Sequence, residues 1–461
     1  MKIIIKNLGP IKQAEFTLGE LTILCGKNNT GKTYATYALF GFLSFWHEKF
    51  YIDVSDDAIQ KLLNEGSVEL DIKNSINDSR NILENSCKAF SGQLSHVFAS
   101  PERHFSGSSF MVELDVVDDM KINYERIMGT AKTQLLSISK KSDSPLVSIS
   151  LLVEKEEVRV PRDLIHNIIG DALKDIVFGH LFPRPFIASA ERTGAAIFRK
   201  ELNFARNRLL EEMGSGEKDI NPLKLLSSVY SDYALPVKAN VNFTRQLEEL
   251  SKKESDIAIH HPAILADFAD IIGGRYHVTK NDELYYRPKG TSVQLTMDES
   301  SSAVRSLLDI GFYLHHVAAP GDLLMVDEPE LNLHPENQCR VARLFARLIN
   351  IGVKVFITTH SDYIIKELNT LIMLNQNDAR LKNIAEREGY RPSELLDAGK
   401  VRVYIAERAS IKQEGARRKT TCQTLIPAQI DPETGIEARS FDTTIEKMNR
   451  IQDEIVWGGD E

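Results

Sequence analysis

The stretch "ELTILCGKNNTGKTYATYALFGFLSFW", Glu20 to Trp46, joins a short apolar strand to a glycine loop and then to a helix. No other feature restricts the fold of this 461-residue chain as tightly. The strand is Leu21–Cys25. Gly26-Lys27-Asn28-Asn29-Thr30-Gly31-Lys32-Thr33 fits the phosphate-binding pattern G-x-x-x-x-G-K-[ST]. Glycines let backbone N–H groups turn inward around phosphate oxygens, and the following helix N-terminus adds its positive dipole end. The helix, Thr33–Trp46, is apolar on nearly every face and is expected to be buried on most sides.

A second set of residues lies almost 300 positions downstream. Leu323 to Val326 form an apolar run that ends in Asp327-Glu328. A helix Pro335–Leu348 follows, and then "VKVFITTH" ends in His360. Strand, helix and strand with continuous apolar strands imply a parallel sheet covered on both faces. Ligands bind such sheets at the carboxyl ends of the strands, where both sets of residues stand. In that setting Lys32 would bridge the β- and γ-phosphates of ATP, while Thr33 and Asp327 would hold Mg²⁺. Glu328 can polarise the attacking water, and an imidazole at His360 can reach that water or the γ-phosphate.

Bulk properties narrow the classes further. The length exceeds what one hydrophobic core organises, so two or three domains are expected. A net charge of −9 argues against a protein whose main task is coating nucleic acid. The densest basic run, around Arg417, Arg418 and Lys419, reads as a solvated loop. No apolar run is long enough to cross a bilayer, so no membrane partner is expected. Four scattered cysteines make no metal-type pair, and the chain reads as cytoplasmic with free thiols.

Taken together, Gly26–Thr33, Asp327-Glu328-Pro329, Leu331–Pro335 and His360 resemble the Walker A, Walker B, D-loop and switch histidine of an ABC-type ATPase. The wording "DEPELNLHP" is similar to the RecF, SMC and OLD branch rather than to transporters, whose glutamine loop is absent. The resemblance implies an α/β fold: a P-loop ATPase head with a mixed sheet flanked by helices, an inserted helix-and-hairpin region and a helical lid. It also implies a composite site. The signature-like stretch "DESSSAVRSLLDIGFYL" would present Ser301 and Ser302, with Asn332 of the D-loop, to ATP on a second copy. Ala303 stands where the family usually has glycine. "PFIASAERTGAAIF" resembles the branch's replacement for the glutamine loop, with Ser189, Glu191 and Arg192 as candidates near Mg²⁺ or the γ-phosphate. A purely structural role for Arg192, pairing with an acid to hold the turn, stands beside that reading.

The same resemblance carries expectations about use. After His360 there is no Asp-x-Asp and no further histidine, so no effector set follows the ATPase. Stand-alone ATPases of this kind resemble subunits of two-gene anti-phage systems, of the PARIS AriA or Septu PtuA kind. That implies a homo-oligomer of two or more copies, a separately encoded effector nuclease and a phage-encoded trigger protein. The alternative is a RecF-like repair or recombination ATPase acting directly on DNA.

Along the chain, residues 1–46 and 274–371 read as the two parts of the ATPase head. Residues 47–180 read as an inserted helix-and-hairpin region, 181–196 as the loop segment and 197–273 as a helical subdomain. Residues 372–461 read as a strand-and-helix tail and a candidate docking region. Within these, strand Lys2–Lys6, helices Asp57–Asn64, Ser79–Phe98 and Ser302–Val317, and a hairpin turning at Lys280–Asp282 are expected. Helical "FRKELNFARNRLLEEM", strand "VRVYIAE" and a closing helix from Thr443 to Val456 complete the reading.

Overall fold

The computed structural model describes residues 1–114, 123–129, 134–152, 161–179, 181–198, 233–279, 283–413, 418–437 and 447–455. The hairpin turn at Lys280–Asp282, Arg417 and the "FRKELNFARNRLLEEM" helix beyond Phe198 lie outside them. Two compact units emerge. One comprises residues 1–2, 42–92 and 110–184; the other comprises 3–41, 93–109 and 185–461.

The larger unit is organised by a six-stranded sheet in the order Thr420–Pro427, Val401–Ile411, Leu21–Cys25, Lys354–Thr359, Leu323–Asp327, Pro185–Ala188. Five strands run parallel, and Thr420–Pro427 pairs antiparallel with Val401–Ile411 at the edge. Leu21–Cys25 and Leu323–Asp327 are buried at every residue, as a sheet with both faces covered requires. Helix Pro335–Asn350 buries a face of Val341, Leu344, Phe345, Leu348 and Ile349. Register does the rest. Cys25 pairs with Thr359 and with Ile405, Asp327 with Thr358, and Val326 with Ala188. The carboxyl end of the sheet therefore carries the glycine loop, Asp327-Glu328, His360 and the Ser189–Arg192 turn.

Several elements differ from the sequence reading, among them the expected helix Ser79–Phe98, which is two helices, Ser79–Ser91 and Leu94–Val97. Ile11–Thr17 is a strand neighbouring Lys2–Leu8. Its mixed "IKQAEFT" buries only Ile11, Ala14 and Phe16, too irregular a pattern to announce a strand. The expected helix Ser302–Val317 is two helices, Ser302–Ser306 and Leu308–His316, interrupted at Leu307. The Ser306 carbonyl beside the interruption accepts a hydrogen bond from Arg192 Nε at 2.7 Å. The strand expected at "VRVYIAE" extends from Val401 to Ile411 and lies inside the six-stranded sheet, against Leu21–Cys25. Residues 447–455 are helical, within the closing helix expected there.

The smaller unit holds a four-stranded antiparallel sheet, Ser67–Asp71, Leu146–Leu151, Gln134–Lys140, Tyr124–Gly129, with helices Asp56–Glu65, Ser79–Ser91 and Arg162–Phe178. Helix Arg162–Phe178 was not foreseen within the insert. Trp46 packs against Phe182 at 4.4 Å, Phe50 at 4.9 Å and Phe178 at 5.1 Å between ring centroids. Beside this cluster Lys174, only 1% exposed, donates to the carbonyls of Trp46 (2.9 Å) and Phe50 (2.8 Å) and pairs with Asp171 at 2.7 Å. It ties the end of the helix that begins at Lys32 to helix Arg162–Phe178. Lys174→Ala leaves those acceptors buried without a donor, so a loss of about 3 kcal/mol is expected. Hydrogen exchange of the amides around 46–50 should accelerate accordingly; unchanged protection there would contradict the role.

Candidate active site

The glycine loop has the backbone its sequence pattern demands. Gly26 and Gly31 adopt φ of +131° and +99°, and Asn29 adopts +62°. A Cβ at Gly26 would stand 2.7 Å from the Ala406 carbonyl oxygen, and one at Gly31 would stand 2.6 Å from Ile11. Both positions therefore need glycine for conformation and for space. Thr30 Oγ1 donates to the Lys27 carbonyl at 2.7 Å, while Asn28, Asn29 and Thr33 are exposed. Lys32 Nζ lies folded under the loop, donating to the carbonyls of Gly26 and Lys27 at 2.9 Å each. Burial lowers its pKa, opposed by the charges of Glu328 and Asp327. Cys25, just before the loop, is a buried thiol pushed up to about 12 by burial, hence protonated and inert.

Asp327 is 1% exposed and accepts a short hydrogen bond from Thr358 Oγ1. Its Oδ2 has no hydrogen-bond partner among the described residues. Burial lifts the carboxyl to about 6, with Thr358 holding it down and the Glu328 and Glu191 charges raising it. An orphaned, buried carboxylate oxygen beside the Lys32 charge fits a hard divalent cation such as Mg²⁺. Glu328 turns through φ +52°. This left-handed kink costs about 1–3 kcal/mol for a side chain of this kind. It is held by the Glu328 N–H, which donates to the Thr358 carbonyl and hydroxyl at 3.1 Å each.

His360 Nδ1 lies 3.7 Å from Glu328 Oε1 and 3.4 Å from Glu330 Oε1. Glu330 was not singled out in the sequence, yet it fixes this corner. Only 8% exposed, it accepts from Thr359 Oγ1 and from the His360 N–H, each at 2.9 Å. The last acid of "DEPE" was its only signal. Tyr37 is another addition: its hydroxyl donates to Glu191 Oε2 at 2.8 Å, which brings Glu191 to the loop helix.

Arg192 is 1% exposed and donates to four carbonyls: Ser306 (2.7 Å), Ser189 (2.8 Å), Asp327 (2.7 Å) and Glu328 (2.9 Å). It does hold the turn, through carbonyls rather than through an acid. Ser301 and Ser302 stand apart, exposed at the start of helix Ser302–Ser306, where Ser301 Oγ caps the Val304 N–H. Ser300 is buried and bonded to the Met297 carbonyl, and Arg305 braces the segment through the carbonyls of Met297 and Ser300. Asn332 is exposed, with φ +61°.

The AAA ATPase domain family matches this chain over residues 1–172 and 191–365. The chain belongs to that family. It is an ATPase. No curated protein matches it in sequence. Among solved structures it is similar to an Smc head bound to the C-terminal winged-helix domain of ScpA, at 11% identity over 92% of this chain and 97% of that one, TM-score 0.31. The Pyrococcus furiosus Smc head with an extended coiled coil, bound to the C-terminal domain of ScpA, gives 12%, 98%, 98% and 0.30. The Thermotoga maritima SMC head gives 8%, 93%, 98% and 0.29. Strand Val401–Ile411, which supports Gly26 in this AAA ATPase, lies beyond the matched residues.

One buried acid sits behind the site. Asp309 has no hydrogen-bond partner for either carboxyl oxygen among the described residues. Burial raises it from 3.8 to about 7, with the Arg192 charge pulling the other way. The folded ATPase thus holds this proton more tightly than the unfolded chain does. Its stabilising contribution is fully present below about pH 4 and is lost as pH rises through about 7. Asp309→Asn removes that slope, so its thermal midpoint should rise relative to wild type between about pH 5 and about pH 8. A constant difference across that range would contradict the raised pKa.

Proposed function

We propose that this ATPase is an ABC-type enzyme of the RecF/SMC/OLD branch that closes over ATP as a homo-oligomer and controls a separately encoded effector nuclease in anti-phage defence. The observation that carries the enzymatic part is the convergence of Lys32, Asp327, Glu328 and His360 at the carboxyl end of the sheet. In this reading the N–H groups of Gly26–Thr33 cradle the phosphates, with Asn28, Asn29 and Thr30 at the loop's exposed rim. Lys32 neutralises the β- and γ-phosphates, while Thr33 and Asp327 hold Mg²⁺. Bound there, Mg²⁺ supplies charge neutralisation across the phosphates. Glu328 orients and deprotonates the attacking water, its carboxylate aimed by the left-handed turn. Glu330 holds His360 beside Glu328, where its imidazole meets the γ-phosphate. Glu191, bonded to Tyr37, orders the Mg²⁺ side.

Ser301, Ser302 and Asn332, exposed and braced from behind, contact ATP on a second copy. Arg192 links that segment to Asp327-Glu328, so γ-phosphate contacts in one copy are felt by the hydrolytic residues. The defence role rests on the resemblance of "DEPELNLHP" to stand-alone defence ATPases, with a phage-encoded trigger as input. DNA is the partner in the RecF-like alternative.

Glu328→Gln should bind ATP normally, hydrolyse it about 10²-fold or more slowly, and accumulate as an ATP-dependent dimer or larger species in light scattering. A variant that turns over normally would remove Glu328 from the base role. One that stays monomeric with ATP would remove the composite site. Co-purification with the product of the neighbouring gene tests the effector. Loss of phage protection in Lys32→Ala supports the defence role, whereas retained protection, or salt-dependent and ATP-stimulated DNA binding by the chain alone, favours the RecF-like reading.

A further inference from the structure

A cavity of about 560 Å³ lies beside helix Leu308–His316, walled by helix Pro262–Ile272 and strand Gly274–Val278. That volume suits a small organic ligand, for which roughly 300–1,000 Å³ is usual. Its floor depends on a glycine in the middle of a helix. A Cβ at Gly311 would stand 2.7 Å from the Phe268 ring and 2.8 Å from the Tyr276 ring. Glycine there costs about 1 kcal/mol of helix propensity and lets both rings close on the helix. Phe312 completes the aromatic surface, 5.9 Å from Tyr276 and 5.5 Å from His316 between ring centroids.

The lining is also one-sided in charge. Among the described residues it contains Arg275, His277, His315 and His316 and no Asp or Glu. Burial, with His316 and Arg275 nearby, pushes His315 down to about 4, so at neutral pH it is an uncharged ring. Arg275 is then the fixed positive charge; it is exposed and makes no ion pair among the described residues. An aromatic slot beside an uncompensated guanidinium selects a flat ring bearing a negative charge.

We infer that this cavity is a regulatory site for a small aromatic anion, its ring held among Phe268, Tyr276 and Phe312 and its charge taken by Arg275. Transmission runs through Tyr276, whose hydroxyl donates to the Val304 carbonyl. Val304 is the residue whose N–H is capped by Ser301. A ligand that moves the Tyr276 ring therefore moves the serine segment. Only this coupling rests on that segment's contacting nucleotide; binding does not.

The test is a titration of the full chain, without nucleotide, with the fluorescent aromatic anion 1-anilinonaphthalene-8-sulfonate, followed by displacement. One saturable site is expected, displaced by indole-3-acetate and at least about tenfold less well by neutral indole. Arg275→Gln should weaken the probe by about tenfold. Ala266→Trp, which fills the mouth from an exposed lining position, should abolish binding while the thermal midpoint stays that of wild type. Unsaturable binding, or equal affinity in both variants, overturns the site. With ATP present the probe should shift wild-type turnover by about fivefold, and Tyr276→Phe should bind the probe without that shift. An unshifted wild type, or an equal shift in Tyr276→Phe, overturns the coupling and leaves the binding result intact.

Discussion

Arg192 is a buried guanidinium that spends its donors on backbone carbonyls from three separate segments: Ser189 in its own turn, Ser306 at the helix interruption, and Asp327 and Glu328 at the strand end. Burial lowers its pKa, and the acids Asp309, Asp327, Glu330 and Glu328 raise it again. A planar fork with five donors meets this geometry; a point-like ammonium does not. The consequence is mechanical. The left-handed turn at Glu328, the break after Ser306 and the loop after Ala188 are tied to one another by one side chain. The serine segment cannot shift without pulling on the backbone carbonyls of Asp327 and Glu328.

The sheet supplies the other half of the arrangement. Lys354–Thr359 lies between the strand that feeds the glycine loop and the strand that ends in Asp327, so Thr358 reaches Asp327 and His360 emerges between loop and acids. Val401–Ile411 flanks the loop strand on the other side and sets Ala406 against Gly26. What reads as a tail in sequence is thus a wall of the phosphate loop.

Much of this was legible from residue pattern alone. Continuous apolar strands, a glycine loop and acids at a strand end announce themselves locally, and the loop strand has the bounds the pattern gave, Leu21–Cys25. What stayed hidden depends on partners distant in sequence. Glu330 and Thr358 matter because parallel register places them beside His360 and Asp327. Arg192 reads as a candidate ligand until four carbonyls are seen to surround it. The helix Ser302–Val317 carries a continuous helical pattern, and only the contact from Arg192 marks where it breaks. The Ile11–Thr17 strand lacks apolar alternation because just three of its residues face the interior.

With its donors taken by four carbonyls, Arg192 is placed to set the backbone at Asp327-Glu328 rather than to bind the nucleotide. Arg192→Lys tests it by separating binding from turnover. A lysine cannot serve all four carbonyls, and each buried acceptor left without a donor costs about 1–3 kcal/mol. ATP affinity should stay within about threefold of wild type, because Gly26–Thr33 is untouched, while turnover falls about 10²-fold. Turnover near the wild-type rate, or loss of ATP binding in step with turnover, would contradict the account.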